Sequence, residues 1–215
     1  MSSFAEEPRT RCVCGGQLTL AAPLRTRSHA WGQVSFRRCP LCQSWCQSPQ
    51  LTPASLSLWY DSDQYQGSAN MSGQFYANYI ADEPARLKEA EFRYRRNIVK
   101  LLPSHGCILE IGCATGSLLS VIRRDGHAVA GIDLSERFAN AAREVHQLPV
   151  VVGDFSTTGF PAASFDLILL YGTLSNLRDL PHRFHQIFQL LKPGGRLLAN
   201  FPAADSLTAA LYGRR

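Results

Sequence analysis

Short apolar runs alternate with amphipathic segments through the second half of the chain. Five runs have the character of buried strands: CILEI (107–111), AVAGID (128–133), LPVVVGDF (148–155), FDLILLYG (165–172) and RLLANFP (196–202). Apolar positions at helical spacing lie between them, over 117–124, 135–146 and 181–191. The last of these segments is expected to bury Phe184 and Phe188, and a turn is expected at residues 192–195. This alternation predicts an α/β fold, a parallel sheet of about five strands with helices on both faces.

The pattern is helical again before the first strand. Residues 71–102 predict two helices, separated at Pro84, and Pro103 ends the second. Residues 47–70 are rich in Ser, Pro, Gln and Asp and predict a linker. We therefore expect a linker and helical cap over 54–103. Its tyrosines are candidates to cover a site that follows: Tyr65, Tyr76 and Tyr79.

Composition limits the class of protein. With 215 residues, 45% hydrophobic and 18% charged, the chain has the composition of a soluble globular protein. No apolar run approaches the roughly 20 residues of a spanning helix, and the first residues carry no export signal. We expect a cytoplasmic protein without a membrane partner. Residues 1–60 hold six Arg against two Glu, which is a solvated surface or a dock for an anionic partner.

Five of the seven cysteines fall between Cys12 and Cys46. Cys12 and Cys14 flank one residue, whereas Cys39 and Cys42 have C-x-x-C spacing. Two such pairs, separated by the length of a hairpin, predict a zinc ribbon over residues 1–53 with these four thiolates as structural ligands. Cys46 is the substitute if Cys12 cannot reach, and free thiols are the alternative to a metal site.

A glycine-rich turn follows the first buried strand. Glu110 lies near the strand end, and Gly112, Ala114 and Gly116 are small residues at alternate positions of the turn. Glycine lets the backbone approach a ligand closely, and such a turn at the carboxyl end of a strand is where open α/β sheets bind nucleosides. The dinucleotide fingerprint G-x-G-x-x-G fails at two of its three positions, and no P-loop lysine follows.

Two further carboxylates end the next two strands. Asp133 ends the second strand, where an acid accepts hydrogen bonds from ribose hydroxyls. Asp154 and Phe155 follow the third strand, where they can meet an adenine amino group and the base. Because the carboxyl ends of parallel strands share one sheet edge, the three acids predict a nucleoside site.

Together the segments ILEIGCATGSLL, GIDLS, GDF, FDLILLYGTLSNL and LKPGGRLL resemble class I S-adenosylmethionine-dependent methyltransferases, over about residues 104–200. The resemblance implies a Rossmann-like domain over 104–215 and S-adenosylmethionine as the donor. It implies that Gly112, Ala114 and Gly116 cradle the methionine and ribose part, with Glu110 orienting it. It implies Asp133 and Leu134 at the ribose, Asp154 and Phe155 at adenine, and Tyr171 near the transferring methyl.

The cysteine module followed by a tyrosine-rich segment also resembles sugar C-methyltransferases and related enzymes of natural-product or glycan pathways. Many of these carry a Glu-His pair after the fourth strand, where this chain has Ser175 and Asn176. The catalytic residue is therefore left open, with Tyr171, His182 and His185 as candidates. An O- or N-acceptor that needs only alignment is easier to support than C-methylation.

Strands six and seven of that family have no counterpart after the fifth strand. We expect either that a second copy or a partner chain covers the exposed sheet edge, or that the chain is a truncated member of the family whose acceptor side is incomplete. The leading hypothesis is a methyltransferase acting on a small molecule. The second is an RNA methyltransferase whose basic ribbon grips phosphates, and the third is a non-catalytic, donor-binding homologue or partner subunit.

Overall fold

The computed structural model describes residues 4–19, 24–29, 32–63, 65 and 80–200. They divide into two compact units, one within Met1–Ser68 and one within Ala69–Phe201. The predicted segment 54–103 is thus shared between the units. The first part of the predicted helical cap, with Tyr76 and Tyr79, lies outside the described residues, as does the segment after strand five.

The N-terminal unit is built on a small antiparallel sheet. Strands β2 (Leu24–His29), β3 (Gly32–Arg38) and β4 (Trp45–Gln47) pair in that order. Strands β1 (Glu6–Glu7) and β5 (Gln50–Leu51) pair in a second, two-stranded antiparallel sheet. The antiparallel pair of β2 and β3 agrees with the hairpin length expected between the two cysteine pairs, whereas the sequence does not predict β4 and β5.

The predicted linker contains a helix, which is a correction. Helix α1 (Pro53–Asp61) begins where Thr52 caps it, accepting a hydrogen bond from the amide of Ser55. Proline in the first turn suits a helix start because its missing N–H has no intrahelical partner there. Trp59 is buried in this unit and anchors the helix, so the serine- and proline-rich composition marks a capped helix start.

The C-terminal unit confirms the predicted α/β fold. Its parallel sheet has the order β10-β9-β6-β7-β8. The bounds are β6 (Cys107–Ile111), β7 (Ala128–Asp133), β8 (Val150–Val152), β9 (Phe165–Tyr171) and β10 (Leu191–Asn200). The helices between them are α3 (Ser117–Arg124), α4 (Glu136–His146) and α5 (Leu180–Leu190), and α2 (Glu83–Arg93) precedes the sheet.

Alternate residues of the central strands pack into cores on opposite faces of the sheet. Leu167 and Leu169 join the core formed with α2, α3 and α4, whereas Ile168 and Leu170 join the core that contains Ile187 of α5. This period of two, with both faces apolar, is why β9 reads as a continuous hydrophobic run.

Two local expectations need correction. Pro84 itself lies at the start of a helix, as expected, in the first turn of α2, which continues through a π-helical segment (Tyr94–Ile98) and a short 3-10 segment (Val99–Leu101); most of the helix predicted before Pro84 falls outside the described residues. The predicted turn at residues 192–195 is a bulge within β10, because the register shifts between Leu191 and Arg196. On α5, Phe184 and Phe188 are exposed rather than buried.

Among the described residues, no helix combines the length and the apolar character needed to cross a lipid bilayer.

Candidate active site

The turn after β6 can be made only with small residues. Gly112 and Gly116 both have left-handed backbone angles, with φ of 77° and 75°. A Cβ at Gly112 would lie 2.2 Å from Thr173 Oγ1, and one at Gly116 would lie 2.5 Å from Leu148 Cδ1. The turn therefore brings the backbone close to its neighbours at both glycines, which agrees with the sequence prediction of a tight cradle.

This tightness gives a stability prediction with a matched control. Gly112→Ala should destabilise the C-terminal unit by about 2–4 kcal/mol, because the left-handed angle and the clash with Thr173 act together. Gly172 has a similar φ of 71°, but an added Cβ there would meet nothing within 4 Å. Gly172→Ala should therefore show only the backbone effect, about 1 kcal/mol. Equal losses in chemical unfolding would contradict the tight turn.

Asp133 braces the turn from the end of β7. Its Oδ2 accepts a hydrogen bond of 2.8 Å from the amide of Ala114, and its Oδ1 accepts one of 2.9 Å from the amide of Ser135. Ala114 has a φ of 47°, a left-handed conformation that an alanine rarely adopts. Asp133 thus holds the turn in shape. Asp133 and Leu134 are both half-buried at the carboxyl edge of the sheet, where the sequence places the ribose site.

Glu110 is a buried acid, and one of its carboxylate oxygens lacks a hydrogen-bond partner among the described residues. Its residue is 4% exposed, and within the described part of the chain its Oε2 finds no hydrogen-bond partner. Burial raises the pKa of this carboxyl to about 8, with the nearby Asp133 adding to the rise and Arg93 opposing it. A buried polar atom without a partner is rare in folded proteins and points to a missing ligand.

Glu110 lines a pocket whose other walls come from the turn and from α2. The lining residues are Arg86, Glu89, Ala90, Arg93, Glu110, Gly112, Cys113, Ala114, Thr115, Ser117, Leu118 and Tyr171. Two arginines and a buried acid thus face one concave space beside the glycine turn. Neither arginine stands out in the sequence, because helical spacing does not show which charged residues of a polar helix will face the sheet.

Tyr171, the predicted methyl-side residue, is held by one face of the helical cap. The Arg93 guanidinium lies 5.3 Å from the centre of its ring, and Asn97 Nδ2 donates to its hydroxyl at 3.1 Å. Arg93 also pairs with Glu89. Arg93 and Asn97 thus hold the ring and the hydroxyl of Tyr171 from neighbouring turns of the same helical segment.

A second contact ties the cap to the turn. Glu83, at the start of α2, accepts a hydrogen bond from Thr115 Oγ1 at 3.3 Å and lies 2.6 Å from His146 Nε2. Both side chains of the Glu83–His146 pair are at least 86% buried. Glu83 therefore links the first turn of α2 to the glycine turn and to the end of α4.

Asp154 and Phe155 lie at the end of β8, as predicted, but a residue of α5 engages both of them. Arg183 forms a two-pronged pair with the Asp154 carboxylate and stacks 5.3 Å from the Phe155 ring. Phe155 is itself buried in the core against α5. His182 and His185, by contrast, are exposed on α5 and do not line the pocket beside Glu110.

The four predicted zinc ligands come together in the N-terminal unit. The sulfurs of Cys12, Cys14, Cys39 and Cys42 all lie within 4.8 Å of one another. Cys46 contacts Cys12 at 3.5 Å and is not one of the four, so the position of Cys12 needs no substitute. This spacing of four thiols fits a tetrahedral metal such as zinc.

Local hydrogen bonds favour thiolates at the second cysteine pair. The hydroxyl and then the amide of Ser44 lower the pKa of the Cys42 thiol to about 6. The amide of Cys42 is the largest cause that lowers the pKa of Cys39. Gly16 packs against this cluster, since an added Cβ would lie 2.8 Å from Cys39 Sγ. Negative sulfur is thus favoured at the second pair, whereas burial raises the pKa of the Cys12 thiol in the first pair to about 12.

Comparisons with known proteins agree with the fold. Residues 109–199 match the family described as a methyltransferase domain. The chain is 35% identical over 94 residues to a demethylmenaquinone methyltransferase of Tropheryma whipplei, covering 42% of this chain and 39% of that protein. It is 34% identical over 209 residues to phosphoethanolamine N-methyltransferase 1 of Arabidopsis thaliana, covering 92% of this chain and 41% of that protein.

A solved S-adenosylmethionine-dependent methyltransferase of Thermotoga maritima, described as a possible histamine N-methyltransferase, shares the fold. It aligns with a TM-score of 0.52 at 24% identity, over 65% of this chain and 64% of that one. The chain spans about two fifths of the length of the two curated relatives named above. Residues 109–199 thus match a methyltransferase domain by sequence, and the C-terminal unit has the fold of solved S-adenosylmethionine-dependent methyltransferases.

Proposed function

We propose that the chain binds S-adenosylmethionine in the pocket beside the glycine turn and transfers its methyl group to a small molecule. The observation that carries the donor assignment is Glu110, a buried carboxyl with an unpartnered oxygen next to two arginines. The methionine end of the donor carries an ammonium and a carboxylate on one carbon. Glu110 binds the ammonium, and Arg93 or Arg86 binds the carboxylate, so the pocket suits a zwitterion.

The remaining residues divide the work along the edge of the sheet. The turn from Gly112 to Gly116 leaves room for the methionine and ribose part of the donor to lie close to the protein backbone. Asp133 accepts hydrogen bonds from the ribose hydroxyls. Tyr171 closes the methyl end, held in place by Arg93 and Asn97. The bound donor supplies an electrophilic methyl on a sulfonium, and the protein's part is alignment and exclusion of water.

Two features support a small-molecule acceptor. Demethylmenaquinone and phosphoethanolamine, named in the relatives, are small molecules. No pocket histidine stands ready as a base among the lining residues, which favours an acceptor that needs little proton transfer. We propose sugars and natural-product or glycan precursors as the acceptors to test first. The zinc of the N-terminal unit is proposed as structural, because four protein thiols leave no open position.

The experiment is a binding titration followed by an acceptor screen. Wild-type protein should bind S-adenosylmethionine, and Asp133→Ala should weaken binding about 100-fold, since two hydrogen bonds to a charged acceptor and the brace on Ala114 are lost. Glu144→Ala, which removes an exposed acid on α4, is the control and should bind normally.

Methyl transfer is then compared between small hydroxyl or amine acceptors and RNA. Transfer to RNA alone would replace the small-molecule proposal with the RNA methyltransferase. Donor binding without any transfer would favour a non-catalytic homologue, and no donor binding by the wild type would overturn the proposal.

A further inference from the structure

The guanidinium of Arg183 forms a planar fork, a pair of parallel hydrogen bonds, with the carboxylate of Asp154, which follows β8. Its Nη1 donates to Asp154 Oδ1 at 3.0 Å and its Nη2 donates to Asp154 Oδ2 at 2.8 Å. The Arg183 side chain is only 17% exposed, whereas that of Asp154 is 42% exposed. A two-pronged contact of this kind fixes the plane of the carboxylate, which a single contact does not.

The flat side of the same guanidinium is held as well. The Arg183 guanidinium carbon lies 5.3 Å from the centre of the Phe155 ring, and Nη1 also reaches Gln186 Oε1 at 3.3 Å. Because Phe155 is 95% buried, it is a fixed surface for the guanidinium. The fork is therefore anchored on the core side and open only toward Asp154 and solvent.

The fork leaves the two carboxylate oxygens unequal. Oδ1 accepts from Arg183 Nη1, from the amide of Ser156 at 2.9 Å and from Ser156 Oγ at 2.8 Å. Oδ2 accepts only from Arg183 Nη2 among the described residues. A carboxylate oxygen takes about two hydrogen bonds, so Oδ1 is saturated and Oδ2 keeps one position. The half-exposed carboxylate thus presents a single, directed acceptor at the sheet edge.

We infer that Arg183 is a positioning residue that sets the base specificity of the donor site. It holds Asp154 so that Oδ2 meets the exocyclic amino group of adenine. An oxygen at that position of the base, as in hypoxanthine, would instead face a fixed carboxylate oxygen that cannot turn away, since both are acceptors. The inference rests on the proposed donor, because it concerns the adenine end of that molecule.

The test compares two ligands that differ only at this group, S-adenosylhomocysteine and its deaminated form, S-inosylhomocysteine. Wild-type protein should bind the adenine form at least about 30-fold more tightly. In Arg183→Met only the contacts of Ser156 with Oδ1 remain, so Oδ2 is no longer fixed, and the preference should fall to about threefold or less. Arg183→Lys keeps the charge but not the fork, and its preference should lie between these values.

Arg196→Met is the matched control, because it removes an arginine of β10 that contacts the carbonyl of Leu101 and not Asp154. It should keep the wild-type preference. A purely structural Arg183 would change thermal stability but not the ratio of the two affinities. An unchanged ratio in Arg183→Met, or in Arg183→Lys should the first variant not fold, overturns the inference and leaves the proposed donor intact. A wild type that binds neither ligand overturns both.

Discussion

Glu110→Gln is expected to stabilise the unliganded C-terminal unit, increasingly so as the pH rises. The pKa of Glu110 goes from 4.5 to about 8 on folding. Below pH 4.5 the carboxyl is protonated in both states. Between 4.5 and 8 the unfolded chain loses the proton while the folded chain keeps it, so stability falls with rising pH, by roughly 5 kcal/mol in all. Glutamine has no proton to lose and avoids this loss.

The measurement is chemical unfolding of wild type and variant from pH 5 to pH 9, followed by hydrogen exchange in β6 and β9. The difference between the proteins should be small at pH 5 and reach several kcal/mol near pH 9. Glu144→Gln, an exposed acid on α4, is the control and should track the wild type. If the difference in the free energy of unfolding between Glu110→Gln and wild type did not change with pH, the raised pKa of the buried carboxyl would be contradicted.

Cys39→Ser is expected to release the metal and unfold the N-terminal unit. Among the residues that the structure describes, the buried apolar cluster around this site consists of Cys12, Leu18, Cys39 and Cys46, which is too small a core to support a fold alone. Zinc in a four-thiolate site contributes about 10–16 kcal/mol of folding free energy at neutral pH. Losing one ligand should therefore abolish protection of the amides in β3 and β4.

Metal analysis of the purified protein should give one zinc per chain in the wild type and none in Cys39→Ser. Cys46→Ser is the matched control, because Cys46 is equally buried and contacts the cluster without being one of the four converging thiols. It should retain the metal. Zinc retained in Cys12→Ser but lost in Cys46→Ser would reassign the fourth ligand, and a folded wild type without metal would contradict the ribbon.

The sequence predicts the sheet well because its signals are local. The β9 segment is apolar at every buried position, β6 is apolar at every buried position except Glu110, Gly126 has the left-handed angle that ends a helix, and Ser135 caps α4. The glycine turn and the acids at the strand ends were placed by the same logic, since parallel strands bring their carboxyl ends to one edge. The sequence therefore contains the donor-side half of the site in readable form.

The rest depends on contacts between distant segments. Arg93 reaches Tyr171 only because α2 lies over the glycine turn, and Arg183 reaches Asp154 only because α5 returns across the end of β8. Helical spacing also placed Phe188 in the core, but that side chain is 74% exposed. Periodicity shows that a helix has an apolar face and does not show how far its neighbours extend to cover it.

The most direct test of the donor site is the number of protons released when S-adenosylhomocysteine binds at pH 7, measured calorimetrically in buffers of different ionisation enthalpy. Unliganded Glu110 is mostly protonated at this pH, and the ligand's ammonium should ionise it. The wild type should release close to one proton more than Glu110→Gln, which should also bind at least about 30-fold more weakly. Equal proton release by the two proteins, or equal affinity, would contradict the account.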